Sequence, residues 1–218
     1  MQTAERQPNH WKMLHDATRS LAARLPFLRP MMRLAWIDGL RTALAERAVS
    51  GHPDRIHMEK TILPALAAGG FRRVLFVGCR RYTTHYGRWF TDRGIEYWTT
   101  DIDPNAGRWG DKHHHVTADV RDLDRHFEPH SFDLVLLNGV FGFGVDEPDA
   151  MNRTLDTLHT LMMPDGLLLV GWNQGLIPDP ARLARMRAQF HPVALPPLPQ
   201  RKAFADDIGH VYDFYRAD

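Results

Sequence analysis

The sequence predicts an α/β fold, a mostly parallel sheet with helices on both faces, an antiparallel last strand and an N-terminal helical cap. Three observations carry this. Short apolar runs at 74–77, 96–100, 113–117, 132–137 and 166–172 alternate with helix-like stretches such as 84–93 and 148–161, the rhythm of βαβ units. Val74-Leu75-Phe76-Val77 and Leu134-Val135-Leu136-Leu137 are continuously apolar, as strands buried on both faces require. Near the end, a proline-rich connection separates Pro192-Val193-Ala194-Leu195 from the run at 210–216, too short for another crossover and suited to an antiparallel pair.

The elements follow in order. Trp11, Leu14, His15, Thr18, Leu21, Ala22 and Leu25 recur at helical spacing, as do Leu34, Ile37, Leu40 and Leu44, with Pro26 and Pro30 as punctuation. We expect short helices there, forming a cap or lid over residues 1–55, with Trp11, His15 and Trp36 docking it or closing it over a ligand. Gly51-His52-Pro53 breaks the pattern before a helix at 56–68, which Gly69-Gly70 closes. The main domain then occupies 56–218, ending with a helix at 180–189 and the terminal strands.

Composition narrows the function classes. The chain has 218 residues, 44% hydrophobic and 24% charged, with a formal charge of +1. That balance gives no reason to expect nucleic acid or an acidic membrane as partner; Arg19, Arg24, Arg29 and Arg33 are interleaved with Asp16, Asp38 and Glu46, as on a solvated helix face. No apolar run approaches the ~20 residues of a membrane span, and a signal-peptide core is not seen, so we expect a cytoplasmic protein, compatible with a homodimer. The single cysteine, Cys79, rules out an intrachain disulfide. His113-His114-His115 does not make a metal site, because alternate residues of a strand face opposite ways; no metal is expected.

Chemistry-bearing residues fall at strand ends. Val74-Leu-Phe-Val-Gly78 is an apolar strand ending in a glycine that lets the backbone approach a ligand, and a helix at 84–93 would offer its N-terminus to an anionic group. Asp101 follows at the end of the second strand, placed to accept from two ribose hydroxyls. Asp119 and Val120 follow the third, and Asn138-Gly139 ends the fourth. All lie at carboxyl ends of strands, where open α/β sheets bind ligands.

On these residues the chain resembles the class I SAM-dependent methyltransferases (SAM, S-adenosylmethionine). The matching segments are Val-Leu-Phe-Val-Gly-Cys (74–79), Thr-Asp-Ile-Asp-Pro (100–104), Ala-Asp-Val-Arg-Asp-Leu (118–123), Phe-Asp-Leu-Val (132–135) and Leu161-Met-Met-Pro-Asp-Gly166. The last has Asp165 where the family has glycine, and His210-Val-Tyr-Asp-Phe-Tyr215 is similar to its antiparallel seventh strand. The resemblance implies a Rossmann-like seven-stranded sheet with SAM as cofactor. It implies Gly78 against the methionine moiety, Asp101 on the ribose, Asp119 and Val120 around adenine and Asn138 beside the sulfonium. Cys79, Arg80, Ile102 and Gly139 complete the expected cofactor set. The departure is the first motif, which continues Cys79-Arg80-Arg81-Tyr82 where the family carries more glycine. Arg80 or Arg81 would pair with the ligand carboxylate, and Tyr82 or Tyr86 would lie over the sulfonium. Candidate catalytic groups are Asn138, Tyr82, His85 and Tyr86.

The expected reaction is methyl transfer to a small metabolite or natural-product intermediate. The alternative is a SAM-consuming cyclisation of the aminocarboxypropyl arm to azetidine-2-carboxylate, with release of methylthioadenosine. A hydride-transferring dinucleotide enzyme fits less well because fingerprint glycines are missing, and a non-catalytic SAM-binding module is a further reading of the same altered turn.

Overall fold

Val74 to Val77 alternate their side chains between two apolar layers, and this alternation organises the sheet. Strands β1 (Arg73–Val77), β2 (Glu96–Asp101), β3 (His115–Thr117), β4 (Phe132–Asn138) and β5 (Met162–Asn173) are parallel. The computed structural model describes residues 51–206 and 208–218; the expected cap helices, and Trp11, His15 and Trp36 with them, lie outside the described residues. The strand order is β3-β2-β1-β4-β5-β8-β6, where β6 is Phe190–Pro192 and β8 is His210–Ala217. Strand β7 (Arg201–Ala203) pairs with β8 beside β6. The seven expected positions are present, with the edge position shared by two short strands. Only β8 runs against the rest: it is antiparallel to β5, β6 and β7.

Each face of the sheet buries its own layer. On one, Leu75, Val77, Val135, Leu137, Leu168 and Val170 pack against Leu155 and Leu158 of helix α3 (Pro148–Leu161). On the other, Val74, Phe76, Leu134, Leu136, Leu167 and Leu169 meet Ile62, Leu63 and Leu66 of helix α1, which runs through the segments Pro53–His57, Met58–Ile62 and Leu63–Ala67. At ~1.5–3 kcal/mol for each fully buried large apolar side chain, these two layers hold the strand ends in place. Met151, Leu155, Leu158 and Leu161 put one stripe of α3 into the core, and Pro148 opens the helix at a position that needs no N–H.

Helix α1 begins at Pro53–His57 and continues through a π-helical turn, Met58–Ile62, into Leu63–Ala67. The widening has a covalent cause. Pro64 has no N–H to give Lys60 and its ring crowds that carbonyl; the ladder shifts to an i→i−5 bond from Leu63 N to Met58 O.

The helix expected at 84–93 shrinks to α2 (Arg88–Thr91), after a 3₁₀ turn at Arg81–Thr83. Thr83 and Thr84 donate their hydroxyls to the carbonyls of Arg80 and Arg81, at 2.9 and 2.8 Å, which favours tight turns over a regular helix. Gly87 follows with its Cα against the Tyr97 ring. The helix expected at 180–189 likewise divides into a 3₁₀ turn (Pro180–Arg182) and α4 (Ala184–Gln189). Asp165, the residue in a glycine's place, adopts φ 60°, a conformation that Asp tolerates better than most side chains.

Candidate functional site

The turn after β1 is built around Asp101. Gly78 has φ 92°, the left-handed region that favours glycine. Its N–H donates to Thr100 O at 2.9 Å. The next amide, Cys79 N, donates to Asp101 Oδ2 at 2.8 Å, and Asp103 N donates to Oδ1 at 2.9 Å. Arg80 Nη1 reaches the same Oδ2 at 2.8 Å and Cys79 O at 2.6 Å. Asp101 is therefore a buried carboxylate whose two oxygens are already engaged. The arginine expected to meet a ligand carboxylate holds instead the residue expected to meet the ribose. Cys79 is buried, and burial, followed by the nearby Asp101 charge, pushes its thiol up to about 12; it is a packing residue rather than a nucleophile.

Asp119 caps the 3₁₀ segment Val120–Arg125 through Arg121 N at 2.9 Å. The Arg121 guanidinium grips both its oxygens, and these bonds hold the carboxyl below its ordinary range. Thr157 of α3 fixes this segment from behind by donating to Arg121 O at 3.1 Å. Val120 is buried and Ile102 is exposed. Together Gly78, Arg80, Asp101, Ile102, Asp119, Val120 and Gly139 line one cleft of about 120 Å³, with Phe143 at its rim. Ligand pockets usually start near ~300 Å³, so this cleft is narrow while Arg80 lies across it. A larger hollow of about 370 Å³ among Arg73, Trp98 and 124–131 opens at the amino ends of β1, β2 and β4, away from these groups.

The ends of β4, β5 and β8 form a second group. Asn138 is buried and its Oδ1 has no partner among the described residues. His210 faces Asn173 across the β5–β8 pair, and its Nδ1 lies 2.5 Å from Asn173 Oδ1. The ring is 2% exposed; burial and then the charge of Arg55 lower its pKa to about 3. With Asn173 Oδ1 as its acceptor, Nδ1 donates, and Nε2 is buried without a hydrogen-bond partner among the described residues. Arg55 itself is largely buried, 3.3 Å from Asp54 and 5.1 Å over the Tyr82 ring.

The four candidate catalytic residues separate. Asn138 sits at the carboxyl end of β4, one residue from the cleft. Tyr86 is fully buried, edge-on to Phe76 at 5.9 Å, and burial raises its phenol. The Tyr82 face already holds the Arg55 guanidinium. His85 is half exposed and lies 3.3 Å from Glu59 of α1. Arg55 and His210 did not stand out in the sequence: one opens a helix, the other opens a strand. Trp172 is a core residue whose Nε1 donates to buried Asp213 at 2.9 Å. Of the three consecutive histidines, only His115 is in β3. Among the described residues His52, Asp54 and Asp206 bring ligand-type atoms within 4.8 Å of one another, but Arg55 already supplies a cation to Asp54.

Comparison with known proteins agrees with this geometry. A family model described as "Methyltransferase domain" matches residues 75–170. No curated protein matches the sequence. The structure is similar to that of N-methyltransferase NodS from Bradyrhizobium japonicum WM9, with TM-score 0.59 and 14% identity over 77% of this chain and 98% of that one. It is similar also to a TehB-like SAM-dependent methyltransferase from Corynebacterium glutamicum, at 0.57 and 18% over 83% and 97%. The third is the 1,6-didemethyltoxoflavin-N1-methyltransferase of Burkholderia thailandensis, solved with its substrate and S-adenosylhomocysteine, at 0.51 and 18% over 100% and 93%. Residues 75–170 thus match a methyltransferase-domain model, and the fold is the one these methyltransferase structures have, with an atypical glycine turn.

Proposed function

We propose that the protein transfers a methyl group from SAM to a small molecule, with 56–218 as the catalytic domain and 1–55 as its cap. The observation that carries this is the joint lining of one cleft by Gly78, Asp101, Asp119, Val120 and Gly139, with the buried, unpartnered Asn138 Oδ1 beside it. These residues fit the nucleoside. Asp101 offers two oxygens to a ribose diol once Arg80 turns away, Val120 gives adenine an apolar wall, and Asp119 accepts from its amino group. The Arg80 side chain is 48% exposed where it pairs with Asp101, so it can swing out and meet a ligand carboxylate. SAM, when bound, supplies an electrophilic methyl carbon.

The chain's own contribution is positioning and desolvation. The ends of β4, β5 and β8 hold Asn138 and His210 out of solvent beside the cleft, and a base is needed only if the nucleophile arrives protonated. His85, paired with Glu59, is left out of the chemistry. Among the described residues no helix is long and apolar enough to cross a membrane, and a small-molecule acceptor suits the narrow cleft better than a nucleic acid. Calorimetry with SAM and S-adenosylhomocysteine tests the reading: both should bind, and binding of neither overturns it. With an acceptor present the product should be S-adenosylhomocysteine; methylthioadenosine formed without an acceptor would count against methyl transfer.

A further inference from the structure

Arg80 occupies a position that the cofactor needs. A carboxylate has roughly four lone pairs to share, and Asp101 has committed most of its own. Oδ2 accepts from Cys79 N and Arg80 Nη1, both at 2.8 Å, and Oδ1 accepts from Asp103 N at 2.9 Å. One acceptor position is left, whereas a ribose diol brings two hydroxyls. The two amides belong to the backbone of the turns, so the second hydroxyl enters where Arg80 Nη1 now sits. That guanidinium nitrogen also donates to Cys79 O at 2.6 Å, which holds it across a cleft of about 120 Å³. We propose that Arg80 is a latch: it keeps the cleft shut and yields preferentially to a nucleoside that carries its own carboxylate. The inference rests on the SAM reading of the cleft and names the feature of the ligand that the cleft selects.

The selection follows from charge. Displacing Arg80 parts a guanidinium from a carboxylate that is only 4% exposed at its side chain, and neutral hydroxyls take its place. A carboxylate on the ligand restores the lost partner, and the planar guanidinium suits it. The half-exposed Arg80 side chain is free on its solvent side to make that move. A ligand without a carboxylate leaves the cation unpaired. Asp103 is a poor substitute: it is exposed, and its Oδ1 already accepts from Asn105 N and Nδ2 at 2.8 and 3.0 Å. The preference is thus a property of the Cys79-Arg80 continuation of the turn. A glycine at position 80 would leave Asp101 open to any ribose.

The test is calorimetry on the full chain with two probes: S-adenosylhomocysteine, and its analogue in which hydrogen replaces the carboxylate. Arg80→Ala should move the two affinities in opposite directions. S-adenosylhomocysteine should weaken about ten-fold, the scale of one charge-assisted hydrogen bond, because its carboxylate loses a partner. The analogue should tighten about three-fold, the scale of a solvent-screened ion pair, because the latch no longer competes with its ribose. If Arg80→Ala does not fold, Arg80→Gln, which keeps most of the stem and loses the charge, carries the same test. An analogue that gains nothing in the variant, or S-adenosylhomocysteine that loses nothing, overturns the proposal and leaves the cofactor reading standing. Binding of neither probe to wild type or variant overturns instead the SAM reading on which the latch rests.

Discussion

The two halves of the site differ in how their polar groups are satisfied. At the ends of β1 to β3, Asp101 and Asp119 are saturated by the chain's own amides and arginines. At the ends of β4, β5 and β8, Asn138 Oδ1 and His210 Nε2 have no hydrogen-bond partner among the described residues. On the proposed reading, a ribose displaces Arg80 in the first half, an exchange of one hydrogen-bonded partner for another. The first arrangement suits a ligand that binds and leaves by exchange of partners; the second keeps buried polar groups at a cost in stability.

Removing the carboxylate at the centre of the first half should have the largest effect. Asp101→Asn should weaken S-adenosylhomocysteine by about 100-fold, or ~2.7 kcal/mol, measured by calorimetry; a change under about five-fold would erase the distinction between the halves. The next largest effect is a pH dependence that belongs to the second half. His210 has a folded pKa of about 3 against an ordinary 6.5, so between these values the unfolded chain binds the extra proton. Its contribution is complete above pH 6.5 and is lost progressively as pH falls toward 3. From pH 7 to 5 the wild type should lose about 2 kcal/mol more stability than His210→Gln, read from denaturant midpoints at both pH values. Equal losses would show that the imidazole is not held neutral.

Much of the first half was legible in the sequence because its signals are local. An apolar run, a glycine and then an acid about a strand and turn later are all visible within a few residues of Gly78, Asp101 and Asp119. The second half was not. His210 acquires its meaning from Asn173 and Asn138, which reach it only through the β4–β5–β8 pairings. Arg55 looks like a helix-start residue until the tyrosines surround it. Some fold details were hidden for a related reason. Strands β6 and β7 have three residues each, too few for alternation to show, and tertiary contacts of Tyr86, Gly87 and Phe90 with β1 and β2 replaced the helix that the 84–93 spacing predicts.

Smaller effects sharpen the contrast. Gly171→Ala should cost about 1 kcal/mol of stability, because the new Cβ crowds Asn138 and His210, yet leave S-adenosylhomocysteine affinity within about two-fold. Loss of cofactor affinity by more than that would mean the halves share this position. The smallest effect belongs to His85→Gln. Its side chain is 49% exposed and paired with Glu59, and an exposed pair of this kind contributes about 0–1 kcal/mol. Cofactor affinity should stay within about two-fold, and a large fall in methyl transfer would restore His85 to the catalytic list.

The divided edge of the sheet has a consequence for how copies of this molecule meet. At one margin lies β3, three residues long; at the other, β6 and β7 cover β8 in two short pieces, and β6 ends in Pro192, which has no N–H to donate. Long unpaired margins are what recruit foreign strands, and among the described residues this eight-stranded sheet has only short strands at its edges. Its widest strands, β5 and β8, are sealed in the interior of the sheet. Strand-to-strand stacking of copies through these margins is thereby disfavoured.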